Sequence, residues 1–212
     1  MDKEQMYKTY TDYLLEVNSH TNLTTITDQV EIDLKHFKDS LTVLDYIKEG
    51  DKVLDLGAGA GFPGIPLRIE KDFDLTLIDS VNKKVNFMNE VIEILELKNA
   101  RAIHTRAEDF AKDHREAFDV VVSRAVANMS TLSELCLPFV KVGGLFIALK
   151  GPKADEEVKA AANALEILGG EVIKMEELDL DGNERVNVIV KKVRPCKKTY
   201  PRGQNLPKRK PL

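Results

Sequence analysis

Several features that define whole classes of protein are scarce or missing. Cysteine occurs only at positions 136 and 196, too few for a disulfide framework or a cysteine-based metal cluster, so we expect a cytoplasmic setting and no metal. No apolar run approaches the roughly 18 residues of a membrane span. The start, MDKEQMYKTYTDYLLEV, is charged and amphipathic, unlike a signal peptide. No Ser-His-Asp set or P-loop is evident either.

Basic residues are concentrated at one end of an acidic chain. The 212 residues carry a net charge of −4, with 43% hydrophobic and 31% charged residues, which is typical of one sizeable globular domain. Residues 191–212 nevertheless contain nine Lys or Arg and no Asp or Glu. This asymmetry indicates an anionic partner such as nucleic acid, met at one place. The alternative is a solvated terminal extension.

Short apolar runs alternate with helical patterns through most of the chain. Residues 3–17 and a stretch starting near Asp28 predict helices. The runs at 52–57, 74–79, 101–104, 118–123 and 144–150 predict strands, separated by helices at about 63–70, 81–97, 108–114, 127–141 and 153–168. Such alternation is typical of an α/β fold with a mostly parallel sheet. Strands at 171–179 and 185–193, joined by DLDGNE, predict a terminal antiparallel hairpin and a seven-stranded sheet.

We therefore expect a single domain over residues 1–212. It comprises an N-terminal helical extension (1–45), a Rossmann-like core (50–193) and a basic tail (194–212). The tail has four prolines and little apolar content. It should pack as an irregular strap or stay mobile until a partner arrives.

A glycine-rich stretch, GAGAGFPGIPLRI at 57–69, follows the first strand. At that place in an open α/β sheet ligands bind. Gly57 and Gly59 belong to a pattern Asp-x-Gly-x-Gly-x-Gly that begins at Asp55, whereas a dinucleotide fingerprint needs its third glycine at Phe62. A glycine turn made only for tight packing is the alternative.

The two prolines of this stretch indicate which ligand it holds. A pyrophosphate needs free backbone N–H groups at the helix start, and Pro63 and Pro66 each delete one. S-adenosylmethionine carries no phosphate, so we expect it as the cofactor. Asp79, which ends the second strand, is a candidate for the ribose hydroxyls, or a cap for the next helix. The Ala107 backbone N–H is a candidate for the adenine edge, and Glu108 is either a cofactor contact or a helix-dipole residue.

The target atom is suggested by what the fourth strand lacks. Residues 122–127 read VSRAVA, without the Asn/Asp-Pro-Pro-aromatic motif of many amino-group methyltransferases. A catalytic Cys196 is disfavoured because it lies in the tail. Guanine N7 has a free lone pair and needs no general base, so alignment alone could drive the reaction. No catalytic residue is assigned.

Several motifs together resemble one family. DLGAGAGFPGIPL, VNKKVNFMNEV, RAED, FDVVVSRAVA, LFIALKG and YPRGQNLPKRKPL, with NLTTI and HFKDSL, resemble the bacterial 16S rRNA (guanine-N7) methyltransferase family, also called glucose-inhibited division protein B. The resemblance runs from about Asn22 to Leu212. It implies a class I methyltransferase fold, S-adenosylmethionine as cofactor and one guanine of small-subunit rRNA as substrate.

The resemblance also assigns residues. Its cofactor contacts fall on Gly57, Phe62 as an apolar wall, the pair Ala107 and Glu108, and Arg124, whose alternative is a surface ion pair. The tail then becomes an RNA strap with Tyr200 available for stacking. The candidate RNA contacts are Lys150, Lys197, Lys198, Tyr200, Arg202, Lys208, Arg209 and Lys210. Asn205 stands where the family usually has glycine, and asparagine tolerates the left-handed conformation. His36 is favoured as a structural histidine.

Three other functions stay open at this point. A small-molecule methyltransferase would explain the glycine stretch but leave the tail without a role. A non-enzymatic RNA-binding module or assembly factor would bind RNA without the cofactor, and a dehydrogenase would bind NADH. We expect 16S rRNA or the small ribosomal subunit as partner, and a monomer.

Overall fold

A computed structural model describes residues 1–124 and 126–212. Ala125, part of the Ser-Arg-Ala motif, lies outside the described residues. The chain divides into two compact units, Met1–His104 and Thr105–Leu212.

The first unit combines the helical extension with three strands. Its helices are α1 (Lys3–Thr21), α2 (Gln29–Ile32), α3 (Asp39–Leu41), α4 (Gly64–Glu70) and α5 (Asn82–Ile94). A π-helical turn (Asp33–Lys38) joins α2 to α3, and a 3-10 turn (Leu44–Tyr46) follows. Its strands are β1 (Lys52–Leu56), β2 (Asp74–Asp79) and β3 (Ala100–His104).

Local sequence explains where the first helices begin. The Asp2 side chain accepts the Gln5 amide at 2.8 Å, and Asp28 accepts the amides of Val30 and Glu31 at 2.9 and 3.0 Å. These are N-caps, which satisfy amides that a helix leaves without partners. The predicted helix at 3–17 is therefore confirmed, although it runs on to Thr21.

The three strands of the first unit are parallel. Leu54 pairs with Thr76 and Leu56 with Ile78 in β1 and β2, and Ile78 pairs with Ile103 in β2 and β3. All three strands therefore end at the same edge, so the residues that follow β1 lie beside the end of β2.

The second unit contains the remaining elements. Its helices are α6 (Ala107–Phe110), α7 (Met129–Cys136), α8 (Ala154–Ala160), α9 (Ala162–Leu168) and α10 (Leu206–Arg209), with a 3-10 turn at Leu137–Phe139. Its strands are β4 (Phe118–Arg124), β5 (Val140–Lys150), β6 (Gly170–Leu180) and β7 (Asn183–Lys192).

A hairpin closes the second unit, as predicted. β4 and β5 are parallel, while β7 is antiparallel to both β5 and β6. Asp181 and Gly182 form the turn with φ of 50° and 81°, the two positive values that a tight hairpin prefers. The β6–β7 register shifts between Val172 and Lys174.

The seven strands form one mixed sheet in the order β3-β2-β1-β4-β5-β7-β6. The predicted mostly parallel, seven-stranded α/β fold is confirmed. The prediction of a single domain stays a prediction. Within residues 1–124 and 126–212, no helix is long and apolar enough to cross a membrane.

Several predicted elements have other bounds in the structure, since the helix expected at 108–114 ends at Phe110 and the one expected at 127–141 ends at Cys136. The helix expected at 153–168 is two helices, separated at Ala161, where ψ is 2°. Strand β5 begins at Val140 rather than 144, although Gly143 and Gly144 resemble a turn. A Cβ at Gly144 would lie 2.5 Å from the Asp119 carbonyl oxygen, so this glycine permits a close approach inside the strand.

Candidate functional site

A glycine loop, residues 57–62, directly follows β1. The amides of Gly57 and Ala58 donate to the Ile78 carbonyl at 2.8 and 3.2 Å, and the Gly59 amide donates to Asp79 Oδ2 at 3.0 Å. Gly57 and Gly59 have φ of 73° and 62°, which glycine adopts without a steric cost. The end of β2 therefore holds the first half of the loop.

Asp79 is buried at the end of β2 and uses both carboxylate oxygens. Oδ2 accepts from Gly59, and Oδ1 accepts the Val81 amide at 2.9 Å just before α5. Each carboxylate oxygen has more than one acceptor direction. The geometry is therefore compatible with both suggested roles, bracing the start of α5 and accepting ribose hydroxyls.

The start of α4 leaves no backbone donor for a phosphate over residues 63–66. Pro63 and Pro66 lack an N–H, the Gly64 amide donates to Asp55 Oδ2 at 2.7 Å, and the Ile65 amide donates to the Gly61 carbonyl at 2.8 Å. A pyrophosphate at this helix start would meet no free N–H. A phosphate-free nucleoside such as S-adenosylmethionine does not need them.

Space for a ligand lies over Gly59. A Cβ built there meets no atom within 4 Å, whereas one at Gly61 would lie 2.5 Å from Ile65 Cδ1 and 2.6 Å from the Tyr10 hydroxyl. The loop thus has an open side at Gly59 and a packed side at Gly61. An open glycine backbone beside a buried carboxylate fits a nucleoside cofactor.

Phe62 faces the N-terminal extension. It is 4% exposed, and the rings of His36 and Tyr10 lie nearly parallel to it at centroid distances of 4.4 and 5.3 Å. The buried His36 also has Nε2 3.0 Å from Thr24 Oγ1, as suits a structural histidine. The role of Phe62 as an apolar wall stays a prediction.

The candidate cofactor contacts of the second unit lie at the start of α6 and at the end of β4. Ala107 is buried and opens α6, with the half-buried Glu108 next to it. The amides of a first helical turn have no intrahelical acceptor, so a donor at Ala107 is compatible with the structure. Arg124 is half-buried and ends β4.

The tail is docked on its own unit through buried polar contacts. Arg202 donates from Nε and Nη2 to the two oxygens of Glu134 at 2.8 and 2.6 Å, and its amide donates to the same carboxylate at 2.8 Å. Glu134 is 0% exposed. The hydrogen bond to Glu134 is the main cause that raises the pKa of Arg202. Of the two alternatives for the tail, the structure shows a packed strap.

Further contacts hold both ends of the tail. The Arg115 guanidinium donates to the Tyr200 carbonyl and, at 3.1 Å, to that of Lys197. Thr131 Oγ1 donates to the Pro207 carbonyl at 3.0 Å. Asn205 is left-handed, with φ of 58° and ψ of 22°, so the expectation that asparagine keeps this turn is confirmed.

The candidate RNA contacts differ in their surroundings. Lys150 donates to the Ala127 carbonyl at 2.8 Å and pairs with Glu157 at 2.7 Å, its side chain 9% exposed. Arg202 is committed to Glu134, and Tyr200 is half-buried. The exposed members of the set are Lys197, Lys198, Lys208, Arg209 and Lys210.

Comparison with known proteins decides the family. The model of the family described as rRNA small subunit methyltransferase G matches residues 3–186. The ribosomal RNA small subunit methyltransferase G of Lactobacillus delbrueckii subsp. bulgaricus is 49% identical over 219 residues, covering 99% of this chain and 92% of the relative. The protein of that name from Clostridium novyi is 44% identical, covering 99% and 89%.

The chain belongs to this family.

Solved structures support the fold alone. A putative transferase from Pyrococcus horikoshii has a TM-score of 0.61 at 18% identity, covering 72% of this chain and 61% of that one. A geranyl diphosphate C-methyltransferase from Streptomyces coelicolor, in complex with S-adenosyl-L-homocysteine, has a TM-score of 0.59 at 13% identity, covering 74% and 79%. The Rossmann-like methyltransferase fold of this family member is thereby confirmed.

Sequence reasoning missed three residues of this family member: Tyr10, which contacts the glycine loop, and Arg115 and Glu134, which anchor the tail. One of them carried a usable pattern. Glu134 interrupts the apolar series Leu132, Cys136 and Leu137. A carboxylate within an apolar helix indicates a buried partner of opposite charge. Arg115 and Tyr10 have no comparable local pattern.

Proposed function

We propose that this family member transfers the methyl group of S-adenosylmethionine to N7 of one guanine in small-subunit rRNA. By family the chain is an S-adenosylmethionine-dependent rRNA methyltransferase. The observation that carries the proposed site is the glycine loop braced by Asp79, beside a helix start whose residues 63–66 offer a phosphate no free N–H.

The described geometry supports part of the proposed cofactor site. Gly57 and Gly59 give the ligand close access to the backbone, and Asp79 accepts its ribose hydroxyls. Ala107 and Glu108 are the proposed contacts of the adenine. Phe62 and Arg124 are proposed as further contacts of the cofactor. When bound, S-adenosylmethionine supplies an electrophilic methyl carbon.

The chain's own contribution to the reaction is positioning. Guanine N7 carries a lone pair at neutral pH, so no residue has to remove a proton before attack. Holding donor and acceptor in line and excluding water can lower a barrier by about 7–11 kcal/mol. The target atom N7 is therefore compatible with a site without an assigned general base.

The strap is the proposed RNA contact. Five exposed cations on a docked segment, Lys197, Lys198, Lys208, Arg209 and Lys210, suit a phosphate backbone. The half-buried Tyr200 is a candidate for stacking. Lys150 and Arg202 already have carboxylate partners, which favours a structural role for both. We further propose that the protein acts as a cytoplasmic monomer.

The test is a map of methylated guanines in rRNA. We expect one N7-methylguanine of small-subunit rRNA to disappear in cells that lack the protein and to return with the wild-type chain. The purified chain with S-adenosylmethionine should restore it on unmodified rRNA or small subunits, which also distinguishes these two substrates. An unchanged rRNA map would contradict the proposal, and RNA binding without a methyl mark would favour an assembly factor.

A further inference from the structure

Tyr10 reaches the glycine loop from the N-terminal extension. It lies in the middle of α1 and is 1% exposed. Its hydroxyl donates to the Ala60 carbonyl at 2.5 Å, and its ring stacks on Phe62 at a centroid distance of 5.3 Å and an angle of 9°. One side chain thus contacts two residues of the loop.

This contact supports the second half of the glycine loop from outside the loop. The amides of Gly61 and Phe62 both donate to the Ala58 carbonyl, at 2.8 and 2.9 Å, which closes the turn on itself. The hydroxyl of Tyr10 links the Ala60 carbonyl to the long helix α1. Glycine-rich backbone loses much conformational entropy when it is ordered, so a contact from outside the loop helps to offset that cost.

The loop and the tyrosine also fit each other sterically. A Cβ at Gly61 would lie 2.6 Å from the Tyr10 hydroxyl, and φ at Gly61 is +97°. Glycine at this position therefore leaves the space that the tyrosine fills. Movement of α1 away from the loop would remove the packing and the hydrogen bond together.

We propose that Tyr10 is a positioning residue for the methyl donor, holding residues 60–62 in the conformation that binds it. The inference rests on the proposed function, because it assumes that the glycine loop is the cofactor site. A loop already held in its bound conformation pays less ordering entropy when the ligand arrives. The N-terminal extension is then part of the cofactor site and not only a covering of the core.

The test compares Tyr10→Phe with Tyr13→Phe. Tyr13 lies on the same helix, donates its hydroxyl to Glu90 at 2.7 Å and stacks on Phe87 at 5.6 Å, so its variant loses a hydroxyl contact away from the glycine loop. By calorimetry with S-adenosylhomocysteine, we expect Y10F to raise Kd about two- to tenfold, the effect of one hydrogen bond. Y13F should stay within about twofold of wild type.

Two further measurements separate positioning from general destabilisation. In Y10F the KM for S-adenosylmethionine should rise in parallel with Kd, while kcat at saturating donor is unchanged. Hydrogen exchange at the Gly61 and Phe62 amides should be faster in Y10F than in Y13F when both are folded.

Equal Kd values for Y10F and wild type would overturn the inference and leave the proposed function standing. Failure of the wild-type chain to bind S-adenosylhomocysteine would overturn both. If Y10F does not fold, Phe37→Leu replaces it. The ring of Phe37 packs against those of Tyr10 and Phe62, at centroid distances of 5.5 and 5.7 Å. A Kd unchanged in F37L would then count against Tyr10.

Discussion

Gly59 combines a left-handed backbone with open space for the proposed ligand. Its φ is positive, its amide bonds to Asp79, and the direction of its missing Cβ is open. A Cβ there would point into the proposed cofactor space, and beyond the adjacent residues it would meet no protein atom within 4 Å. Binding and stability can therefore be separated at this residue.

Gly59→Val should abolish binding of S-adenosylmethionine in calorimetry. The matched control is Gly50→Val, because Gly50 has φ of +77° and an equally open Cβ direction at the opposite end of β1. Both substitutions should cost about 1–2 kcal/mol of folding free energy through the left-handed backbone. Wild-type affinity in G59V would remove the glycine loop from the site.

Residues of the candidate site could be proposed from sequence only where their neighbours along the chain carry the information. Gly57, Gly59 and Asp79 follow from their places at strand ends. The contact of Tyr10 with Ala60 joins residues 50 positions apart, and that of Arg202 with Glu134 joins residues 68 apart. Local pattern does not specify such pairings, since they depend on how elements pack.

Among the elements, α1 is joined to the end of α4 by a small polar network. Lys3 pairs with Glu70 Oε2 at 2.7 Å, and the Tyr7 hydroxyl donates to Oε1 at 2.9 Å. Burial alone would raise the pKa of Glu70, but the hydrogen bonds from Lys3 and Tyr7 outweigh it and hold the pKa below its ordinary 4.5. The ionised carboxylate is therefore the form that stabilises the fold.

This network should make stability acid-sensitive. A carboxyl whose pKa is lowered in the folded state stabilises it above the unfolded pKa and loses that contribution as pH falls through the folded value. Glu70→Gln should cost about 1 kcal/mol at pH 7, and the difference from wild type should vanish at an acidic pH below the folded pKa of Glu70. Urea unfolding at both pH values measures it, with the exposed Glu49→Gln as control. A difference independent of pH would contradict the assignment.

One of the contacts that hold the strap is the ion pair of the half-buried Arg202 with the buried Glu134. Arg202→Ala leaves the carboxylate of Glu134 buried without its cation, which should cost about 3 kcal/mol. Arg209→Ala, an exposed change in the same tail, should stay within about 0.5 kcal/mol. Urea unfolding compares them. Wild-type stability in R202A together with weaker RNA binding would instead make Arg202 an RNA contact.

Periodicity predicted which elements exist better than where they end. Apolar runs flanked by turn residues placed all seven strands, because a buried strand needs such a run. The division of one expected helix at Ala161 escaped notice since the apolar spacing continues through it. The predicted start of β5 at residue 144 was four residues late, because sequence does not show that the backbone of Asp119 approaches Gly144 within the strand.

Across the whole molecule, charge is separated between an acidic body and the basic strap. The net charge is −4 although residues 191–212 carry only basic charges. An acidic body repels RNA phosphates, which supports the proposal that the strap is the RNA contact. If the strap is the RNA contact, the salt dependence of RNA affinity should reflect only its few cations.

Replacing Lys197, Lys198, Lys208 and Lys210 by glutamine should weaken RNA binding and flatten its salt dependence. The slope of log K against log salt should fall in magnitude by about 3 if all four lysines neutralise phosphates of single-stranded RNA. Replacing Lys8, Lys48, Lys112 and Lys159, four exposed lysines of the body, serves as control. Filter binding over a salt series measures both, and an unchanged slope in the tail variant would contradict the strap as the RNA contact.

The edge strand β6 has a consequence for solubility at high concentration. β6 stands last in the sheet order and is 11 residues long, enough to template pairing with another chain. Its register shift at Val172 and Lys174 interrupts the regular ladder, and charged residues recur along it at Glu171, Lys174, Glu177 and Asp179. Such irregularity and charge discourage amyloid-like stacking along this edge of the sheet.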